Sequence, residues 1–325
     1  MNRASLSLLL AGSIALSASA VQGQESLTYL FPAPDFLPAF APFQLALHKG
    51  YYEEEGLDVE FRVGQGGADV ATQIAVGNVD MGGGMGDTAM IVRPNGLEVR
   101  GVALLGGKGL THIAWRNDSG IESVADLEGE SIAVISFQDT AYYNLLAVLA
   151  GEGIGRPDAD IQALGSGGLI QAMIADGVQA MSGVPEWIVS IQDAGVDLTV
   201  MPVSDLFPAQ PQAIIASDQF IAEHPDQAAG FVRATLRAIE DIVADPAAAA
   251  QEYVGFVDQH AENVEQIERV MRFYVESVYA EMDGLPRGAF NEEQLLEIQD
   301  FYMANDIITE AVPIEDVYTN QFVTE

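Results

Sequence analysis

The 325-residue sequence contains no cysteine. Without cysteine a chain cannot form a disulfide, a thiolate nucleophile, a cysteine-ligated zinc site or an iron–sulfur cluster. An acyl anchor on an N-terminal cysteine is excluded for the same reason. The sequence therefore excludes disulfide-stapled folds, thiol enzymes and lipoproteins of that kind.

Positive charge is also scarce, with 13 Lys and Arg against 48 Asp and Glu and a net charge of −35. Only two lysines occur, Lys49 and Lys108. Such a surface repels nucleic acid and anionic membranes, so neither is expected as a partner. Because the acids are spread along the chain, we interpret the charge as a solubility feature; a functional acidic patch is the alternative.

Long apolar runs are confined to the N-terminus. Arg3 gives a weakly basic start, residues 8–16 form a short apolar core, and residues 18–20 read Ala-Ser-Ala. This is the pattern of a secretory signal peptide, which we place at residues 1–20, with cleavage after residue 23 as the alternative. No later run reaches the ~18 apolar residues of a membrane span. The mature protein is expected to be periplasmic, free of a lipid anchor and not inserted in the membrane.

The glycine-rich runs do not match nucleotide-binding motifs. A P-loop around Lys108 fails because Val102 occupies the first glycine position and Gly109 replaces Ser or Thr. The run GGGMGD fails as a dinucleotide fingerprint because Asp87 replaces its third glycine. The four histidines lack the close spacing of metal ligands, and no G-x-S-x-G nucleophile elbow occurs. We predict no cofactor, no metal and no catalytic residue.

Strand and helix patterns alternate through the first two thirds of the chain. In residues 57–62, for example, apolar and polar residues alternate, as in a half-buried strand. Strands predicted at 26–31, 57–61, 79–82 and 97–105 alternate with helices, which indicates a parallel sheet with crossover helices. Residues 111–201 repeat this order, residues 213–216 form a returning strand, and the rest of the chain is helical. The fold class is therefore α/β.

Six predicted loops follow the carboxyl ends of strands, where ligands bind in open α/β sheets. They are residues 34–42, 64–67, 84–87, 137–140, 165–168 and 183–187. The candidate ligand-binding residues on them are Asp35, Phe36, Phe40, Gln65, Gly66, Gly67, Met85, Asp87, Phe137, Gln138, Thr140, Gly167, Glu186 and Trp187.

Two of these loops allow more than one interpretation. The apolar loop with Phe36 and Phe40 either packs between elements or forms a ligand-facing wall. Phe137 and Trp187 are suited to stacking on a flat ligand. Glu186 either accepts hydrogen bonds from an amine or amidine-like ring, or is an exposed acid favoured by the helix dipole.

Several segments resemble one family of transport proteins. They are residues 46–61 (ALHKGYYEEEGLDVEF), Gly66-Gly67, 74–81 (IAVGNVDM), 118–134 (DSGIESVADLEGESIAV) and His224-Pro225. The chain is similar in them to periplasmic solute-binding proteins of ABC importers, in the SsuA/THI5-like (NMT1-like) group. The resemblance implies a type II periplasmic binding protein fold, in which two α/β lobes joined by two crossovers close around a ligand cleft. Lobe 1 would comprise residues 25–110 plus 215–325, and lobe 2 residues 111–214.

The resemblance also implies a function. Such a protein binds a small-molecule ligand, catalyses nothing, and delivers the ligand as a monomer to the transmembrane subunits of an ABC permease. Ligands in the group include sulfonates such as taurine, nitrate-like anions and thiamin pyrimidine precursors. Because basic residues near the predicted loops are scarce, a pyrimidine, aromatic or amine-bearing solute is favoured, with an anion as the alternative.

Two other roles occur for this group or this class of protein. Fungal pyrimidine synthases and desulfinases of the group depend on cysteine-bearing sites, and the absence of cysteine disfavours an enzyme. A periplasmic sensor subunit that presents its liganded form to a receptor is a further role, which the sequence does not separate from import.

Overall fold

The computed structural model describes residues 24–323 apart from Gln138. The predicted signal peptide therefore lies outside the described residues. The strands are β1 (Glu25–Phe31), β2 (Leu57–Val63), β3 (Met81–Met85), β4 (Val99–Leu104), β5 (His112–Arg116), β6 (Ser131–Val134), β7 (Asp160–Ala163), β8 (Ala180–Gly183), β9 (Leu198–Pro202) and β10 (Gln212–Ser217). The α-helices are α1 (Ala41–His48), α2 (Tyr51–Glu54), α3 (Gly67–Ala75), α4 (Thr88–Val92), α5 (Thr140–Gly151), α6 (Gly165–Ile174), α7 (Pro185–Asp193), α8 (Asp218–Glu223), α9 (Pro225–Ala244), α10 (Pro246–Val254), α11 (Val264–Ser277), α12 (Glu292–Ala304) and α13 (Ile314–Val317).

These strands form two five-stranded sheets with the same topology. The first has the order β2-β1-β3-β10-β4 and the second the order β7-β6-β8-β5-β9. The prediction of an α/β fold is confirmed. The four strands β1 to β4 run in one direction, as the βα pattern predicts, whereas the returning strand β10 runs antiparallel to β3 and β4, and β5 runs antiparallel to β8 and β9.

The two antiparallel strands are those that the chain forms directly after crossing from one sheet to the other. β5 follows β4 through residues 105–111, and β10 follows β9 through residues 203–211. A strand parallel to its neighbours would first need a longer connection, usually a helix, to reach the opposite edge of the sheet. β5 and β10 instead begin at the carboxyl edge of their new sheet and run antiparallel to the strands beside them. Both connections therefore lie at the carboxyl edges, where the predicted ligand loops begin.

Aromatic side chains form the core between the first sheet and α9. The ring of Phe231 stacks on Tyr52 at 4.9 Å and on Tyr29 at 5.0 Å. All three side chains are at most 1% exposed, and the Tyr52 hydroxyl shares a 2.9 Å hydrogen bond with Thr235. The core therefore fixes β1, and with it the loop that follows β1, against the C-terminal helices.

Two glycine runs that predict loops form regular structure instead. Gly84 and Met85 belong to β3, and residues 165–168 form the first turn of α6. In β3, a Cβ on Gly82 would lie 2.4 Å from Val70 Cγ1 and 2.9 Å from the backbone oxygen of Leu30. Gly82 therefore allows α3 and β1 to approach the strand closely, a requirement of packing that the sequence does not reveal.

Short polar side chains cap three of the helices. Ser217 Oγ accepts a hydrogen bond from the Phe220 amide at 3.1 Å, and Asn291 Oδ1 accepts one from the Glu293 amide at 3.0 Å. Asp139 caps α5 in the same way. Each of these side chains satisfies an amide that the first turn of a helix leaves without a partner.

None of the helices in the described part of the chain is both long enough and apolar enough to cross a membrane.

Candidate ligand-binding site

The loop after β1 is held by side chains from the helices beneath it. The Tyr253 hydroxyl donates to the Phe36 carbonyl oxygen at 2.7 Å, and His260 Nε2 lies 2.8 Å from the same oxygen. Gln44 Nε2 donates to the Asp35 carbonyl oxygen at 3.2 Å. The backbone of this loop is therefore fixed, and the side chains of Asp35 and Phe36 remain partly exposed beside it.

Phe40 has a different environment. It is 4% exposed, and its ring lies 4.7 Å from the ring of Phe31 in the core of the first sheet. Of the two interpretations of the apolar loop, the structure therefore supports packing for Phe40 and leaves Phe36 as the candidate ligand-facing ring.

In the turn between β2 and α3, a carboxylate of the protein itself accepts one of the backbone amides. Asp69, in the first turn of α3, accepts a hydrogen bond from the Gln65 amide at 2.9 Å. Gly66 has φ of +90°, a conformation that favours glycine, and its amide donates to the Pro32 carbonyl at 2.7 Å. Gly67 is the first residue of α3. The amides around this helix start are therefore partly occupied by the protein itself.

Glu186 connects the part of the structure around the second sheet to the C-terminal helix α11. It lies in the first turn of α7, against the second sheet, and its Oε2 accepts a 2.9 Å hydrogen bond from the hydroxyl of Tyr274 on α11. Burial raises the pKa of Glu186. Burial, with the charge of Glu186 as a further cause, also raises the pKa of Tyr253 and of Tyr279. Glu186 therefore lies among tyrosines rather than on an exposed helix end.

Further contacts between α7 and α11 hold these parts together. Gln266 Nε2 donates to Asp193 Oδ2 at 2.7 Å, and Arg269 forms an ion pair with the same carboxylate. Asp193 is the last residue of α7, so the two ends of this helix are both fixed to α11.

His112 was not among the predicted ligand residues, yet its position and chemistry suit that role. It is fully buried at the start of β5, and its backbone pairs with Gly183 at the carboxyl end of β8. Burial lowers the pKa of His112 to about 4, so the ring is neutral at pH 7. Nδ1 lies 3.0 Å from the Leu110 carbonyl oxygen and must carry the proton to bond it. Nε2 is then an acceptor, and it has no partner among the described residues.

Asp87 presents a second buried acceptor without a donor. It follows β3 and is 1% exposed. The Tyr302 hydroxyl donates to Oδ2, while Oδ1 has no partner in the described chain. Burial raises the pKa of Asp87 to about 6, the hydrogen bond from Tyr302 opposes that rise, and the nearby charge of Asp139 adds to it.

Asp139 and the aromatic rings around it face Asp87 from the second half of the structure. Burial raises the pKa of Asp139, which caps α5. The Tyr143 ring lies 5.9 Å from the ring of Tyr302, and both Asp139 and Asp87 add to the rise of the Tyr143 pKa that burial causes. The start of α5 and the end of β3 therefore approach each other.

The remaining predicted residues lie at the carboxyl edge of the second sheet or beside it. Phe137 is 42% exposed, and the Arg156 guanidinium lies 5.4 Å from its ring centre. Trp187 is partly buried in the first turn of α7, and Thr140 is the first residue of α5. Gly167 lies in α6, and no heavy atom lies within 4 Å of the position that a Cβ on it would take. Gln138 lies outside the described residues.

The structure thus brings acidic side chains together in two places. Asp35 and Glu186, both predicted ligand residues, both act through their charges on Tyr253. Asp87, also a predicted ligand residue, lies near Asp139, which is not one of them. Met85 lies in β3, and its amide donates to the Thr88 hydroxyl at 2.8 Å. Within residues 24–323, Gln138 excepted, no group of three or more His, Asp and Glu side chains is arranged to hold a metal ion.

The sheets and their connections define a periplasmic binding protein fold. The periplasmic aliphatic sulphonate-binding protein SsuA of Escherichia coli superposes with a TM-score of 0.71 at 13% sequence identity, covering 91% of this chain and 93% of that one.

Residues 37–249 match the family described as NMT1/THI5 like, and the chain belongs to that family. The riboflavin-binding protein RibY of Chloroflexus aurantiacus is 26% identical, over 94% of this chain and 89% of its own. A 4-amino-5-hydroxymethyl-2-methylpyrimidine phosphate synthase of Aspergillus parasiticus is 28% identical, over 67% of each chain. The relatives of the chain therefore include a protein named as a binding protein and a protein named as an enzyme.

Proposed function

We propose that this protein is the substrate-binding component of an ABC importer, and that its solute is a flat heterocycle bearing N–H or O–H donors. The observation that carries the proposal is a pair of buried acceptors without donors, Asp87 Oδ1 and His112 Nε2. A buried acceptor without a partner costs about 1–3 kcal/mol. A ligand that brings donors to both atoms removes this cost, and the carboxylate of Glu186 adds a third acceptor.

The charges of the site argue against the alternative, a sulfonate or nitrate-type anion. An anion would bind best at the helix starts after β2 and β6. Asp69 already accepts the Gln65 amide at the first, and Asp139 caps the second. An anionic ligand would therefore lie beside these carboxylates and near Asp87.

The aromatic side chains favour a flat solute. Phe36, Phe137, Tyr143 and Trp187 are all partly or largely exposed at the carboxyl edges of the sheets. Stacking on such rings, with a few polar groups to fix orientation, is a common way to bind a planar ligand. The similarity to a riboflavin-binding protein supports the same class of solute.

The proposed transport cycle has three parts. The exported protein, without its signal peptide, acts as a monomer in the periplasm. The lobe of residues 25–110 and 215–325 closes against residues 111–214 around the solute. The closed form delivers the solute to the permease.

Binding measurements test the proposal directly. We expect riboflavin or 4-amino-5-hydroxymethyl-2-methylpyrimidine to bind the mature chain with a Kd near or below 1 μM, about −8 kcal/mol, in isothermal titration calorimetry. Taurine should not bind measurably. Tight binding of taurine with none of either heterocycle would contradict the solute class. Conversion of the pyrimidine or its precursors, followed by mass spectrometry, would favour the synthase relatives instead.

Replacing Trp187 with alanine is expected to weaken solute binding at least tenfold, equivalent to about 1.4 kcal/mol, because the stacking ring is lost. The control is Trp187→Phe, which keeps an aromatic face and should retain most of the affinity. Calorimetry with the best solute measures both variants. Equal affinity of Trp187→Ala and the unmodified protein would remove Trp187 from the site.

A further inference from the structure

A cavity of about 490 Å³ is lined by residues of both connections between the sheets, 105–111 and 203–211. The first connection contributes Gly107 and Lys108, the second Ser204 and Gln210, and the start of α12 Asn291 and Gln294. None of the predicted ligand residues lines it. The volume is in the range of small-molecule pockets, ~300–1,000 Å³.

Gln210 gives this cavity a buried acceptor. Its side chain is 2% exposed, and Nε2 donates to the Pro208 carbonyl oxygen at 3.1 Å. That hydrogen bond fixes the orientation of the amide, because the carbonyl oxygen can only accept. Oε1 is left buried without a partner among residues 24–323, and Ser204 Oγ is in the same state. A native protein rarely leaves two such atoms unsatisfied, so both call for a hydrogen-bonding occupant.

The charges around the cavity are nearly balanced. Lys108 is exposed and forms no ion pair within the described chain, whereas Lys49 contacts both Asp241 and Glu252. The carboxylate of Asp283 lines the cavity as well. Glu281, also in the lining, is paired with Arg287 at 2.8 Å. An occupant with a strong charge of either sign would thus face a repulsive group.

We propose that this cavity, the connection cavity, is a second binding site that takes a small, uncharged, hydroxyl-rich solute of the polyol class. One hydroxyl donates to Gln210 Oε1 and accepts from the hydroxyl of Ser204, while a second hydroxyl accepts from Lys108. The lining contains no aromatic ring, so a flat heterocycle has nothing to stack on. Binding here is independent of the solute proposed for the cleft.

Saturation-transfer NMR titrations of the mature chain with D-sorbitol test the proposal. We expect millimolar binding of sorbitol and none of inorganic phosphate or ethylenediamine at the same concentrations. Gln210→Met and, separately, Lys108→Met should each weaken sorbitol binding at least fivefold. Lys49→Met is the matched control, because it removes the same charge from a residue that does not line the cavity, and it should leave the affinity unchanged.

Three results would overturn the proposal. Binding of phosphate or ethylenediamine in place of sorbitol would refute the solute class. Lack of binding by all three probes would refute the site. Sorbitol affinity that falls in Trp187→Ala but not in the Gln210 and Lys108 variants would place it in the cleft. Urea unfolding of each variant verifies the fold, and exposed Lys108 provides a test even if Gln210→Met is unstable.

Discussion

Replacing Asp87 with asparagine is expected to stabilise the unliganded protein at neutral pH and to weaken ligand binding in the same variant. The two effects have one cause. Asp87 is buried with only Oδ2 bonded, and burial raises its pKa from 3.8 to about 6. The ionised carboxylate is therefore costly in the folded protein, yet it is a strong acceptor for a ligand that brings a donor.

The raised pKa fixes how this effect depends on pH. The folded protein holds the Asp87 proton more tightly than the unfolded chain, so the stabilising contribution is complete below pH 3.8 and is lost as the pH rises through about 6. The shift corresponds to at most about 3 kcal/mol. Asparagine stays neutral, so the stability of Asp87→Asn relative to the unmodified protein should rise by about 1–3 kcal/mol between pH 4 and pH 7.5. Urea unfolding at both values measures it.

In the same variant, the amide nitrogen would face the donor of the ligand. Because hydrogen bonds to charged groups contribute about 1.5–3 kcal/mol, we expect affinity for the best solute to fall at least tenfold. The control is Asp226→Asn on the exposed start of α9, which should change neither quantity appreciably. Lower stability of Asp87→Asn at pH 7.5, or unchanged affinity, would show that Asp87 is a structural acid rather than a ligand-binding one.

The Phe231→Ala substitution is expected to lower the free energy of unfolding by about 3–5 kcal/mol, since it empties a fully buried site. Phe231 packs between Tyr29 and Tyr52, whose stacking contacts are lost with the ring. The matched control is Phe137→Ala, because Phe137 is 42% exposed. It should lower stability by less than about 1 kcal/mol and act on ligand binding instead.

Urea unfolding followed by tryptophan fluorescence distinguishes the two phenylalanines. Equal destabilisation by both substitutions would mean that Phe137 is as well packed as Phe231, and Phe137 would then no longer be a candidate for ligand stacking.

The predictions that succeeded rest on local chemistry. The alternation of Leu57, Val59 and Phe61 predicts a strand, and β2 begins at Leu57. The caps at Ser217 and Asn291 are local in the same sense, because these short side chains reach amides two or three residues ahead. Signals of this kind need only neighbouring residues, so they can be read without the tertiary fold.

The features that the local pattern did not show depend on distant residues. Gly84 looks like part of a loop in isolation, but it lies in β3, where a Cβ on it would lie 2.8 Å from Thr88 Oγ1 and 3.4 Å from Ile215 Cδ1. Likewise, the direction of β10 depends on which sheet the chain leaves before forming it. The placement of Phe40 in the core follows from its contact with Phe31.

The sequence by itself determined the family, the α/β character, and the absence of any site that needs a thiol. These properties follow from residue types and from their spacing along the chain, and the sequence contains both. Only the tertiary structure decided which polar atoms are left without partners. Whether the Asp87 carboxylate, the His112 ring or the Gln210 amide finds a donor depends on elements far away in the chain, because hydrogen-bond satisfaction is a property of the packed molecule.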